Sequence, residues 1–263
     1  MRDWTAPSVF RPENLLREAR RQRGLPDTPV PEVCLLDPDG DIVRQLRLRG
    51  RARPSSGWAC YHTALDEFDH EGERFGVVGC AVGAPFAVLV AEQLFASGCR
   101  FLISVTSAGQ ITPAGAPPYF VLIDRALRDE GTSGHYLPPG DPAAADPALA
   151  NAAFRAVQHA AVPVHRGVTW TTDAPYRETE AAIAGARRAG VLAVEMEAAA
   201  LYAFARAQDK AVLCFAHVTN TMAVEGDDFE KGEDDGAAEA VRVLAAAAQA
   251  WRTMSIVEDA GGG

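Results

Sequence analysis

Apolar residues in this chain fall in short blocks at 33–36, 75–79, 101–105, 119–123, 164–172, 191–194 and 212–216. Blocks of this length, rich in β-branched and aromatic residues, predict strands buried on both faces. Between them the spacing of apolar positions turns helical. Residues 11–23 form a basic run closed by Gly24, and 86–96 form an amphipathic run stopped by Gly98. Further helices are predicted over 146–160, 178–189, 198–207 and 237–251. Residues 45–70 are less regular, and Arg47, Arg49, Arg51 and Arg53 alternate with other residues as in an exposed strand or arm. A Pro/Gly-rich loop spans 131–147, and an acidic one spans 225–235. The pattern predicts an α/β fold, a single domain with a central mixed, largely parallel sheet flanked by helices. The expected organisation is a basic helix with a Pro-rich connector (1–32), the α/β domain (33–255) and a loose tail (256–263).

Polar residues gather just after the predicted strands, at 37–44, 104–109, 171–177, 195–197 and 217–221. Strand ends share one rim of a parallel sheet, so these clusters are expected to line one cleft. The sharpest cluster is Glu195-Met196-Glu197, two carboxylates between an apolar strand and an Ala-rich helix. Such a pair has two readings. It can bind a diol such as the ribose hydroxyls, or it can place negative charge at the positive end of a helix. Asp37-Pro-Asp-Gly-Asp41 reads as a turn at a strand end, with Arg44 able to reach an anion held there.

Composition narrows the field. The 263 residues are 48% hydrophobic and carry a formal net charge of −10, which excludes a basic nucleic-acid surface and favours a small-molecule partner. No apolar run is long enough for a membrane span. The first residues lack a signal-peptide pattern, and five scattered cysteines without a CxxC pair read as reduced thiols, so a cytoplasmic location is expected. No metal site is expected. The turn after residue 79 is not a GxGxxG fingerprint, so a nicotinamide cofactor is not expected either.

Four segments in this order resemble the nucleoside phosphorylase-I family, which includes uridine phosphorylase, hexameric purine nucleoside phosphorylase and the methylthioadenosine nucleosidases. Val194-Glu-Met-Glu-Ala198 is similar to the family's Glu-Met-Glu element. Ala81-Val-Gly-Ala-Pro85 resembles its Gly-Ile-Gly-x-Pro turn, and Thr106-Ser-Ala-Gly109 its Thr/Ser-Ala-Gly turn. Thr171-Thr-Asp-Ala-Pro-Tyr176 resembles the segment lining the base pocket. The resemblance implies a nucleoside phosphorylase-like fold and cleavage of an N-glycosidic bond, by phosphorolysis to free base and sugar 1-phosphate. Inorganic phosphate would be the co-substrate, with no cofactor. It implies a homo-oligomer of the dimer or hexamer-of-dimers type, with sites completed across subunits. Glu197 would bind the ribose hydroxyls with Met196 packed on the sugar and Glu195 beside it, while Asn220 would serve at the base. Thr106, Ser107, Asp173, Tyr176 and Arg177 would complete the substrate site. Gly40, Arg44, Ser107 and His62 would hold phosphate.

Three departures bear on the chemistry. Ser104 stands where phosphorylases carry an arginine, and no arginine lies between Arg53 and Arg74. Thr219-Asn220 replaces the Ser-Asp pair of purine-specific members, and an amide cannot act as a general acid. Two alternatives follow: a phosphate-independent nucleosidase, with Asp37, Asp39 or Asp41 activating water, or a catalytically silent nucleoside-binding protein.

Overall fold

The computed structural model describes every residue except 1, 2, 5, 223–227, 262 and 263, with side chains through residue 256. In chain order the elements are α1 (Pro12–Arg23), β1 (Val33–Asp37), α2 (Asp41–Leu48), β2 (Ala52–Pro54), β3 (Asp66–His70), β4 (Glu73–Gly79) and α3 (Ala84–Ala96). Then come β5 (Phe101–Gln110), β6 (Tyr119–Asp129), β7 (Ala143–Ala144), α4 (Pro147–Val157) and β8 (Val164–Thr172). The last are α5 (Glu180–Arg188), β9 (Val191–Glu195), α6 (Ala198–Gln208), β10 (Ala211–Asn220) and α7 (Ala237–Gly261).

The sheet runs β10-β6-β8-β9-β5-β1-β4-β3-β2, and β5 also pairs with β10. Because β5 bonds to β1, β9 and β10, the strands β5, β10, β6, β8 and β9 close into a ring, with β1, β4, β3 and β2 extending from it. The β1–β4, β1–β5, β5–β10, β6–β8 and β8–β9 ladders are parallel. The closing β5–β9 and β6–β10 ladders are antiparallel. Helices α3 and α6 pack together, as do α4 and α7. Tyr202, buried on α6, pins that helix to the sheet. Its hydroxyl donates to the Ile123 carbonyl at 2.6 Å and accepts the Cys214 N–H at 2.9 Å.

Three sequence expectations change. Residues 41–48 are a helix, not part of an extended arm: Ile42, Val43 and Leu46 form its buried face while Arg44 and Arg47 point outward. The arm reading fits only Arg53, in β2; residues 66–70 and 73–79 form a hairpin through Glu71-Gly72. Thr106–Gly109 is not a turn after a strand but part of β5, and His217–Asn220, expected to follow a strand, are the last residues of β10; the two stretches are held in one ladder. Among the cysteines, all free, Cys80 is exposed and the other four are buried. α7 extends through the 256–261 part of the tail expected to be loose; residues 262 and 263, with 225–227 of the acidic loop, lie outside the described residues.

Candidate active site

The Glu-Met-Glu element sits between β9 and α6, and its two carboxylates do different work. Glu195 is 3% exposed and accepts four hydrogen bonds. Its Oε1 takes the hydroxyls of Thr169 (3.0 Å) and Thr171 (2.5 Å), and its Oε2 takes the N–H groups of Glu197 and Ala198, both at 2.7 Å. The next amide of α6, Ala199 N–H, donates to the Thr171 hydroxyl at 3.0 Å. The open amides of the α6 N-terminus are thus satisfied from β8 and β9, where the helix dipole favours a negative charge. Glu195 thus works as a strut between β8, β9 and α6, with both of its oxygens already engaged by the protein.

Glu197 is the opposite case. It is 1% exposed, its Oε1 accepts the Gly83 N–H at 2.7 Å, and its Oε2 is buried without a hydrogen-bond partner. Burial first, and then the nearby Glu195 charge, push its pKa up to about 8, against the pull of the Gly83 amide and the neighbouring Thr106 hydroxyl. Gly83 has φ 91° at the start of α3, a conformation that glycine adopts readily, and open space lies where a Cβ would stand. Met196 is half-buried next to it. A buried carboxylate oxygen without a hydrogen-bond partner is costly unless a ligand completes it.

A second cluster lies around Ser107. In the β5–β10 ladder Ser107 is opposite His217, and its N–H donates to Asp39 Oδ2 at 2.7 Å. Gly40, with φ 79°, follows Asp39 and starts α2; a Cβ there would lie 2.6 Å from Cys80 Sγ. Asp37 is buried beneath, its oxygens taken by the N–H groups of Gly40 (3.1 Å) and Val43 (2.9 Å), and burial pushes its pKa up to about 7. Arg44 does not extend toward Ser107 as an unpaired cation: its Nη2 is bonded to Asp41 (2.7 Å) and Asp235 (2.8 Å). Lys231 forms an ion pair with Asp41. His217 stacks on Phe120 with centroids 4.5 Å apart, and burial, with the Lys231 charge, lowers its pKa to about 4, so it is neutral at pH 7. His217 and Lys231 are not among the residues the sequence points to as site residues, and Gly83 enters there only within the Ala81–Pro85 turn. His217 did fall within one of the strand-end clusters, and Lys231 is the single cation of the acidic 225–235 loop.

The remaining expected residues are more scattered. Asn220 is opposite Gly109 at the end of β10 and is 7% exposed. Its Oδ1 accepts the Met222 N–H at 2.9 Å and its Nδ2 donates to the Thr219 hydroxyl at 3.2 Å, so much of its amide is used in shaping the strand end. Asp173, Tyr176 and Arg177 stand on the surface around the short turn Pro175–Arg177. Tyr176 is 99% exposed, and Asp173 accepts the Gly131 N–H at 2.9 Å. His62 is exposed and meets the edge of Phe86 at 6.4 Å.

Residues 51–251 match the phosphorylase superfamily, three quarters of the chain and all of the Gly83, Ser107, Glu197 and Asn220 cluster. The chain belongs to the phosphorylase superfamily. Within it, the uridine phosphorylase of Thermococcus kodakarensis is 31% identical over 194 residues, which cover 67% of this chain and 69% of that relative. The DeoD-type purine nucleoside phosphorylase of Myxococcus xanthus is 35% identical over 136 residues, 51% of this chain and 57% of the relative. The fold agrees with that of a crystal structure of uridine phosphorylase from Vibrio fischeri ES114 complexed with 6-hydroxy-1-naphthoic acid. The TM-score is 0.67 at 20% identity, over 89% of this chain and 93% of the other. The superfamily match starts after the β1–α2 segment that carries Asp39 and Gly40.

Proposed function

We propose that this phosphorylase-superfamily chain cleaves the N-glycosidic bond of a nucleoside by phosphorolysis, with inorganic phosphate as co-substrate and no other cofactor. The observation that carries the reading is the partnerless, buried Oε2 of Glu197 beside an Oε1 already held by Gly83. A ribose diol supplies the missing donor, and Met196 covers the sugar. As the base departs, the sugar becomes oxocarbenium-like, and a buried carboxylate held in place by the Gly83 N–H stabilises that charge more than water does. A phosphate oxygen bonds to C1′ while the C–N bond breaks and its electron pair leaves with the base. The Ser107 N–H and the Gly40 turn form the anion side, with Thr106 between that side and the ribose carboxylate. Asn220, an amide and not an acid, favours a base that carries its charge on carbonyl oxygens, as a pyrimidine does. Asp173, Tyr176 and Arg177 are assigned to the mouth of the base side. The reading includes a homo-oligomer in which the chain's own Arg44 and, from a neighbouring copy, the exposed His62 serve the phosphate side.

Release of free base from a panel of pyrimidine and purine nucleosides, with and without phosphate, tests this. Base release that depends on phosphate and yields a sugar 1-phosphate is the expected result. Release at the same rate without phosphate makes the chain a nucleosidase, and binding without release makes it a nucleoside-binding protein.

A further inference from the structure

The Ser107 amide, the clearest anion donor of the site, is already bonded to a carboxylate. Asp39 reaches it from 68 residues away at 2.7 Å, yet Asp39 is itself exposed and therefore has somewhere to go. The surroundings do not favour a second anion. Among the described residues, Asp39 and Asp41 lie close enough to Asp37 to raise its proton affinity. The cations beside them are already paired, Arg44 with Asp41 and Asp235 and Lys231 with Asp41, and His217 is neutral at pH 7. Ser104, three residues earlier on β5, brings no positive charge and is buried with its hydroxyl unpartnered. A phosphate oxygen arriving at the Ser107 N–H would meet the Asp39 carboxylate at contact distance, where like charges repel by several kcal/mol at the effective dielectric of a protein surface.

We propose that Asp39 is an internal competitor for phosphate: its carboxylate occupies the anion position at Ser107, and the co-substrate binds only by displacing it. The proposal rests on the phosphorolytic reading and deepens it by naming what sets the phosphate requirement. Asp39 in this account is a specificity-determining residue, and its side chain weakens the binding that the backbone amides offer.

The test is calorimetric titration of inorganic phosphate into the wild-type protein, D39N and D39A at constant ionic strength, alongside the Michaelis constant for phosphate. D39N keeps the shape and an acceptor oxygen for Ser107 but removes the charge; D39A also vacates the position. The expected result is a phosphate dissociation constant at least tenfold lower in D39N and lower again in D39A. The Michaelis constant for phosphate should fall in parallel. A gain in affinity is not produced by mere damage to the loop, and thermal unfolding of both variants confirms that they are folded. Unchanged or weaker phosphate binding in both variants overturns the proposal. So does base release by the wild type without phosphate that D39N abolishes, since Asp39 would then be activating water. Because the titration needs no turnover, it still decides the role of Asp39 if no nucleoside in the panel is cleaved and the phosphorolytic reading itself fails.

Discussion

Replacing Glu195 by alanine separates a strut from a ligand. The side chain removes four buried donors from the list of unsatisfied groups: two hydroxyls and the first two amides at the α6 N-terminus. The hydroxyls of Thr169 and Thr171 can rotate to new acceptors, but the amides of Glu197 and Ala198 cannot. Each orphaned buried amide costs roughly 1–3 kcal/mol. Against that stands relief from burying a carboxylate, whose pKa is raised by its full burial. A net loss of about 3 kcal/mol results, and for 263 residues at about 2.1 cal/mol/K per residue it lowers Tm by ~5 °C. E195Q provides the contrast. Its amide oxygen can accept both backbone N–H groups while its nitrogen donates to the threonine hydroxyls, so its melting temperature should stay within about 2 °C of wild type, as for a network that remains satisfied. Thermal unfolding by circular dichroism reads both variants. If E195A melts with the wild type while nucleoside binding is lost, Glu195 is a ligand and the division of labour argued from its hydrogen bonds is wrong.

Four further outcomes follow from named contacts. E197Q removes the charged acceptor for the sugar diol, and at roughly 1.5–3 kcal/mol per charge-assisted hydrogen bond kcat/KM should fall about 100-fold or more; activity within threefold of wild type would refute the assignment. Glu197 holds its proton up to about pH 8 in the free protein, whereas hydroxyl donors favour the charged form. Nucleoside binding at pH 7 should therefore release a proton, with release fading above pH 8, and identical binding enthalpies in buffers of different ionisation enthalpy would contradict it. Y202F strips a donor from the Ile123 carbonyl and an acceptor from the Cys214 N–H, costing roughly 2 kcal/mol and about 4 °C in Tm by calorimetry; an unchanged Tm would refute this. His217 has a folded pKa of about 4, below its ordinary value of 6.5, so the unfolded chain binds more protons between those values. Its contribution is intact above pH 6.5 and falls by up to about 3 kcal/mol as pH drops through that window, and H217Q should flatten the acid limb of the stability curve. An H217Q curve that parallels the wild type from pH 6.5 to 4 would count against it.

The strand blocks and helical runs were legible because each is a local pattern. β1, β4, β6 and β8–β10 all start within about two residues of an apolar block, as expected when burial on both faces fixes composition. Where the reading failed, a non-local partner decided the outcome. Thr106–Gly109 carries the small polar residues of a turn, but β10 on one side and β9 on the other satisfy its backbone and keep it extended. α2 is hidden because its buried face has only three apolar residues, Ile42, Val43 and Leu46, and the Val43 amide of its first turn is met by Asp37 from β1, with no side-chain cap at Gly40.

The same distinction orders the candidate site. Glu195 and Glu197 are two residues apart and looked equivalent, and each of the two readings of such a pair holds for one of them. Glu195 complements a helix N-terminus, and Glu197 is left with a buried oxygen that has no partner. What separates them is not sequence distance but which donors the fold brings: threonines of β8 to Glu195, and a single amide of the α3 turn to Glu197. Asp39 shows the limit from the other side. Within its own segment it is a turn-forming residue like Asp37 and Asp41, and only the pairing of β5 with β1 and β10 places the Ser107 amide within its reach. Of the three aspartates, Asp37 is bound to backbone amides and Asp41 to Arg44 and Lys231. Asp39 alone has an exposed side chain with access to an incoming anion, so the choice between displacing phosphate and activating water rests on that one residue.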